Sequence, residues 1–236
     1  MRIADPGTGG APRARDADRT RHQILLAATD EFAEFGLGGG RVDRIAERAR
    51  VDKRLIYYYF KNKDDLFLAV LELAYAQIRT AETALKLDQL TPPEAVRSLV
   101  EFTWEYYLAH PEFLFLLNSE NLHRAAHLKR SAQILEMHSP LVQRLKALLE
   151  RGAEEGCFRR GVDPVQLYIS IASEAYFYLS NSYTLSVIFG RDLRAPAERA
   201  NRLTHISSVI LGYLRPEPQV PCEASAEESR KRITDP

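Results

Sequence analysis

Two cations and three phenols crowd into one short stretch: Lys53, Arg54, Tyr57, Tyr58 and Tyr59. If the stretch is helical, they occupy about two turns. Ammonium and guanidinium groups donate to phosphate oxygens and to the acceptor edge of guanine. Phenols donate to phosphate or lie against a thymine methyl. At this density the chemistry suits a surface that grips and reads a nucleic-acid duplex. No acidic residue follows Asp52 until Asp64.

The charge around these residues points the same way. From Arg41 to Lys63 the cations are Arg41, Arg44, Arg48, Arg50, Lys53, Arg54, Lys61 and Lys63, against the anions Asp43, Glu47 and Asp52. The formal net charge of the 236-residue chain is +0, so a basic module sits on an acidic remainder. That asymmetry predicts a polyanionic partner.

The elements that must position these side chains read as helices. Arg19 to Phe35 places Ile24, Leu25, Ala28, Phe32 and Phe35 on one face. Gly36 ends that helix, and Gly38 to Gly40 form a loop. Val42 to Ala49 is a short second helix with Val42, Ile45, Ala46 and Ala49 inward. Asp52 caps a third over Lys53 to Tyr59. Ile56 and Phe60 face the core. Asn62 caps a fourth that runs towards Leu87, its first turn carrying Asp64 and Asp65. The short turn between the second and third helices is that of a helix-turn-helix.

Beyond it, prolines mark helix starts. Pro92 and Pro93 open a helix to Ala109. Pro111 opens one over Glu112 to Met137, with a break near Asn118. Ser139-Pro140 opens Leu141 to Glu155, Asp163-Pro164 opens an apolar helix to Phe189, and Pro196 opens the last, to Leu214. No run alternates like a strand, so the fold class is all-α. Residues 1–18 and 216–236, rich in Gly, Pro and scattered charge, are expected to be a disordered arm and tail. Arg13, Arg15, Arg19 and Arg21 form either a basic arm along a nucleic-acid backbone or a solvated tail.

The segment from Arg19 to Leu71 resembles the N-terminal domain of the TetR family of transcriptional regulators. The residues that carry the resemblance are Phe32 with Gly36, then Val42, Ile45, Ala46 and Ala49, then Ile56, Tyr57, Phe60, Lys63 and Leu66. Two positions depart from the pattern. Arg50 stands where the family usually has a turn Gly, and Arg41 where it usually has a Ser or Thr cap. A non-Gly residue held in the left-handed conformation costs roughly 1 kcal/mol or more.

What the resemblance implies is a ligand-responsive homodimeric repressor on double-stranded operator DNA, released by a small-molecule effector. The DNA-binding residues would be Arg41, Arg50, Lys53, Arg54, Tyr57, Tyr58 and Lys63. Lys53 and Arg54 start the reading helix and Tyr58 faces the same way. Tyr57 and Lys63 are phosphate contacts by resemblance. The organisation would be a helix-turn-helix domain over 19–64 and a ligand-binding and dimerisation domain over 65–215. LIYYYF (Leu55 to Phe60) and NSENLHR (Asn118 to Arg124) resemble regulators of catabolic pathways for small nitrogen heterocycles such as nicotinate or pyrimidines.

The body supports two of these implications. The helix from Leu167 to Phe189 is apolar nearly all round and needs cover on both sides. A partner subunit would supply one cover, with Leu203, Ile206, Val209, Ile210 and Leu214 completing the surface. A ligand site is suggested by aromatics mixed with uncharged polar groups: Trp104, Tyr107, Phe113, Asn118, Asn121 and His127, with Glu174 and Tyr178 facing the same space.

Other classes find less support. His123 and His127 are spaced to chelate a metal with Glu120, but no further His or Cys lies near, and no metal or cofactor is expected. Cys157 and Cys222 have no CxxC partner, which suits a reducing, cytoplasmic setting. No apolar run approaches the roughly 18 residues of a membrane span, and the polar N-terminus does not read as a signal peptide. With no phosphate loop, nucleophile elbow or paired carboxylates, no catalytic residue is expected. The rival reading is an all-α small-molecule carrier or enzyme with an incidental helical hairpin, which would not bind DNA.

Overall fold

The computed structural model describes residues 11–216, with side chains from Asp16 onward except at positions 135, 138 and 139. Among the described residues the architecture is wholly helical. The helices are α1 (Ala11–Gly39), α2 (Val42–Ala49), α3 (Lys53–Phe60), α4 (Lys63–Thr83), α5 (Pro92–Ala109), α6 (Pro111–Leu122), α7 (Ala132–Glu154), α8 (Pro164–Ser180), α9 (Ser182–Phe189) and α10 (Pro196–Leu214). Single 3-10 turns at Leu87–Gln89 and Leu128–Arg130 lead into α5 and α7.

Five boundaries differ from expectation: Gly36 interrupts α1 but does not end it, since the helix resumes and runs to Gly39, so Gly38 and Gly39 lie in helix and not in a loop. Helix α1 starts at Ala11, inside the expected arm. Arg19 pairs with Asp16 one turn away, and the Thr20 hydroxyl donates to the Asp16 carbonyl. The side chains of Arg13 and Arg15, residues 1–10 and the tail from 217 lie outside the described residues. Helix α4 ends at Thr83, short of Leu87. Pro140 does not open a helix but lies inside α7. The break falls earlier, where Arg124 and Ala125 both take positive φ and a Ser131 cap restarts the helix. The apolar helix from Pro164 splits at Asn181, whose side chain turns back to the Phe177 carbonyl.

The first three helices close around Ile24, Leu25, Ala28, Phe32, Ile45, Ile56 and Phe60, all buried. Each of these side chains except Ala28 contributes about 1.5–3 kcal/mol on leaving water. Phe32 meets Phe67 of α4 edge-on at 5.2 Å, joining this head to the next helix. Phe35, expected inward, is 41% exposed and carries the Arg44 guanidinium 4.2 Å above its ring. Gly36 breaks α1 with φ 65 and ψ 176, a conformation closed to other residues. At Gly40 an added Cβ would lie 2.7 Å from the Phe32 ring.

The body wraps α4 with α5, α6 and α7, and α8 and α10 close the far side. Head and body are pinned as well as packed. Helix α6 runs along α1, and the buried Leu37 amide donates to Ser119 Oγ at 3.2 Å. Asp65 at the start of α4 pairs with Arg130, and Ser131 Oγ donates to Glu72 at 2.6 Å. Replacing Ser119 by Ala leaves the Leu37 amide buried without an acceptor. The Ser119→Ala variant is expected to lose about 1–3 kcal/mol of stability in denaturant titration.

Candidate nucleic-acid interface

The reading surface starts from a buried carboxylate. Glu31 of α1 is fully buried, and its Oε1 accepts from the Arg41 amide at 2.9 Å and from Arg44 Nε at 2.7 Å. Arg48 lies 3.7 Å from Oε2 and bonds Glu34 at 2.8 Å. Burial opposes ionisation of Glu31, but the Arg44 and Arg41 hydrogen bonds and the two guanidiniums outweigh it and hold the carboxyl below its usual range. Arg41 has no side-chain cap to give α2, and Glu31 takes the Arg41 amide instead. The missing Ser or Thr is thereby compensated from α1, and the Arg41 side chain stays exposed.

Helix α2 ends at Arg50 in the left-handed conformation (φ 55, ψ 44), with the Arg50 amide bonded to Glu47 and the Val51 amide to the Ala46 carbonyl. This arginine therefore keeps the backbone that the family gives to glycine. Asp52 then caps α3, accepting from the Arg54 amide at 2.7 Å. Ile56 and Phe60 anchor α3 inward, as expected, and the Arg21 guanidinium covers the Phe60 ring at 5.2 Å. That leaves Lys53, Arg54, Tyr57 and Tyr58 on the outer face, Tyr58 79% exposed.

These side chains are not equally free. Lys53 pairs with Asp43 of α2 at 2.7 Å, and that hydrogen bond raises the ammonium above its ordinary pKa. Both groups are largely exposed, so the pair is weak and yields readily to a phosphate or base. Lys63 is half-buried and donates to the Gly40 carbonyl at 3.1 Å. It pins the start of α4 to the loop before α2. Arg44 and Arg48 are held by Glu31 and Glu34, so the basic excess offered outward rests mainly on Arg41, Arg50, Lys53, Arg54 and Lys61.

The expected ligand residues separate into several groups. Trp104 and Tyr178 pack together at 5.6 Å, and the Tyr178 hydroxyl donates to the Leu193 carbonyl. Glu174 pairs with Arg202 of α10 at 2.5 Å. Tyr107 stacks on Phe113, which meets Tyr75 edge-on. Asn118 accepts from the Tyr176 hydroxyl. His127 bonds Glu120, whose Oε1 also takes the His127 and Leu128 amides, and the His123 ring faces the Ser119 carbonyl. Asn121 is exposed and lines a cavity of about 80 Å³ with Leu71, Tyr75 and Glu120. The expectation of one shared space for all eight is therefore corrected: Trp104, Glu174 and Tyr178 are consumed in α5–α8–α10 packing.

Sequence reasoning missed a buried polar group between α4 and its neighbours. Arg79 and Glu82 are 6% and 2% exposed, with Arg79 Nη2 donating to the Tyr168 hydroxyl at 2.7 Å. Burial pushes the Tyr75 phenol up to about 12, and raises Tyr107 and Tyr168 too. The signal was available: Leu71, Tyr75, Arg79 and Glu82 follow helical spacing along the face of α4 that turns inward.

A short helix pair with an outward basic, aromatic second helix, carried on a helical body, defines a helix-turn-helix regulator. The comparisons agree. Residues 24–70 match the model for bacterial regulatory proteins of the tetR family, and 92–210 match the tetracyclin repressor-like C-terminal domain. The transcriptional repressor NicS of Pseudomonas putida is 42% identical over 86% of this chain and 96% of its own. The repressor SCO4008 of Streptomyces coelicolor is 36% identical over 59% of this chain and 69% of its own. The crystal structure of the regulator SCO4942 from Streptomyces coelicolor shares the fold at TM-score 0.62 and 24% identity, covering 80% of this chain and 97% of that one. The chain belongs to the TetR family of transcriptional regulators. Among the described residues no helix is long and apolar enough to cross a membrane.

The left-handed Arg50 gives a direct test. Arg50→Gly is expected to raise stability by about 1 kcal/mol in denaturant titration. If the Arg50 side chain also meets a phosphate, the same variant lowers the slope of log K against log salt by about 1.

Proposed function

We propose that this chain is a homodimeric repressor that leaves a palindromic operator when a small molecule binds its body. One observation carries the reading: α3 is capped by Asp52 and anchored by Ile56 and Phe60 so that Lys53, Arg54, Tyr57 and Tyr58 all face outward. Residues 19–64 act as the DNA-binding domain and 65–215 as the ligand-binding and dimerisation domain. Lys53 and Arg54 enter the major groove, where either pairs with a guanine edge. Tyr58 meets a thymine methyl or phosphate. Arg41, Arg50, Tyr57 and Lys63 hold the backbone, Lys63 after leaving the Gly40 carbonyl. The effector is a small molecule of the kind handled by heterocycle-degrading pathways, as LIYYYF and NSENLHR suggest.

Dimerisation is supported by an apolar face left open on α8, α9 and α10. Ile169, Phe177, Tyr183, Val187, Ile188, Phe189, Val209 and Tyr213 are all exposed, Val187 by 83%. Ile206, Ile210 and Leu214, expected on this face, turn into the chain's own core. Two-fold pairing here gives two α3 helices, and the operator inherits their symmetry.

Fluorescence anisotropy with the flanking intergenic duplex and with random duplex tests the reading. Lys53→Ala and Arg54→Ala are each expected to cost about 1–3 kcal/mol of discrimination between the two DNAs. Equal losses on both would make them backbone contacts, and no binding by the wild type to any flanking duplex would refute the regulator. A Val187→Glu, Ile188→Glu pair is expected to give a monomer by light scattering and to abolish operator binding. A dimer that survives both changes places the interface elsewhere.

A further inference from the structure

Asp43 sits where a surface that only grips phosphate has no use for an acid. It lies in the first turn of α2 with 73% of its side chain exposed, and it holds Lys53 Nζ of the reading helix at 2.7 Å. A carboxylate in that place repels the duplex backbone and weakens binding to every sequence. An acid in the first turn does favour the helix dipole, but that gain needs no lysine from the next helix. Asp52, by contrast, is accounted for as the cap of α3.

Both members of the pair stand on fixed helix starts. The Arg41 amide on Glu31 sets the start of α2, and the Asp52 cap sets that of α3. The pair need not break to make further bonds. An ammonium has three N–H donors, and this contact uses one. Lys53 is the one side-chain partner of Asp43 among the described residues, so the carboxylate keeps lone pairs for another donor. The couple therefore presents outward a donor and an acceptor one hydrogen-bond length apart, in a fixed order.

The major-groove edge of a base pair carries the complement. In G·C the guanine O6 acceptor lies one hydrogen bond, about 2.9 Å, from the cytosine N4 donor, and guanine N7 adds a second acceptor on the purine side. We propose that Asp43 is a specificity-determining residue and that the Lys53–Asp43 couple reads one G·C pair as a unit, its ammonium on guanine and its carboxylate on cytosine N4. The inference rests on the operator-binding reading above and names the base pair read. In A·T and C·G the amino group faces Lys53 and the keto oxygen faces Asp43, so both contacts turn repulsive. T·A keeps the order, but sets its methyl group beside the lysine and adenine N7 beside the carboxylate. The ranking is G·C first, T·A second and the other two rejected. A lysine alone takes guanine from either strand and cannot produce that ranking.

The couple also gives the acid a signature. Asp43 weakens binding to random DNA through its charge and strengthens binding where cytosine N4 meets it. Its removal therefore acts with opposite signs on the two kinds of DNA. An acid that served only to steady α2 would act on both alike.

The test is a selection from a randomised duplex library by the full-length chain, followed by anisotropy on the selected duplex and its single-pair variants. Wild type is expected to fix G·C at one position of each half-site. T·A there is expected to bind about tenfold more weakly, and A·T or C·G about a hundredfold. Asp43→Ala is expected to reduce the C·G penalty to about fivefold or less at that position alone, and to bind random duplex about two- to fivefold more tightly. Replacing the cytosine by 2-pyrimidinone, which lacks the N4 amino group, is expected to weaken wild type about tenfold and to leave Asp43→Ala nearly unaffected. Asp43→Ser suits a helix start and is too short to reach the base, so it repeats the comparison should the alanine variant not fold. A discrimination profile unchanged in both variants, equal sensitivity of wild type and variants to the lost amino group, or weaker binding of the variants to all duplexes alike would each overturn the couple. A wild type that selects a palindrome in which Asp43 controls no G·C pair defeats this inference alone. A wild type that selects no sequence defeats the regulator.

Discussion

The head of this protein is organised by the burial of one carboxylate. Glu31 sits at zero exposure about a turn and a half before the Gly36 break, and α2 is hung from it. It receives the Arg41 amide, so α2 starts at a fixed point although its cap residue has no capping side chain. It also recruits Arg44 and draws Arg48 towards α1. A carboxylate leaves water at a cost of several kcal/mol unless its partners are well placed. Here an amide and a guanidinium meet the same oxygen, and the lowered pKa of Glu31 reports that they prevail. The arrangement has a second consequence. Arginines that look from sequence like part of a polyanion-binding patch are spent on structure, which concentrates the outward charge near α3.

Because α2 is fixed to α1, the position of α3 is set by what holds α1 and α4. Both are held by the body. Leu37 is bonded to Ser119 of α6, and Asp65 and Glu72 of α4 are bonded across to Arg130 and Ser131. The Glu120 carboxylate stiffens the turn that supplies Arg130, since it accepts two successive amides and the His127 ring. Those contacts make α6 as much a carrier of the head as α4. Motion within the body can therefore reach α3 by two routes, through the start of α4 and through the end of α1.

The sequence made the head legible because its signals are local. Asp52 and Asn62 cap where caps were expected, and Ile56 and Phe60 fall inward at helical spacing. The turn after Ala49 could be inferred to strain Arg50, and it does, with φ at 55. Non-local choices were not legible. Pro140 reads as a helix start by its own chemistry, yet tertiary packing keeps it inside α7 at the loss of one hydrogen bond. The aromatic and polar residues Trp104, Tyr178 and Glu174 had the composition of a ligand site, but packing against α10 claims them. Arg79 and Glu82 were passed over because charged residues on a helix are usually solvated. Only their register with Leu71 and Tyr75 marked them as buried.

Operator recognition by this chain depends on two copies holding their α3 helices at the spacing of one DNA turn. Electron–electron double resonance between spin labels at Glu47→Cys, an exposed position on α2 outside the proposed contact residues, with Cys157 and Cys222 replaced by Ser, reports this in the dimer on operator DNA. A single narrow distribution consistent with helices about 34–36 Å apart is the predicted result. No dipolar coupling, or a broad distribution centred far from that spacing, would contradict it.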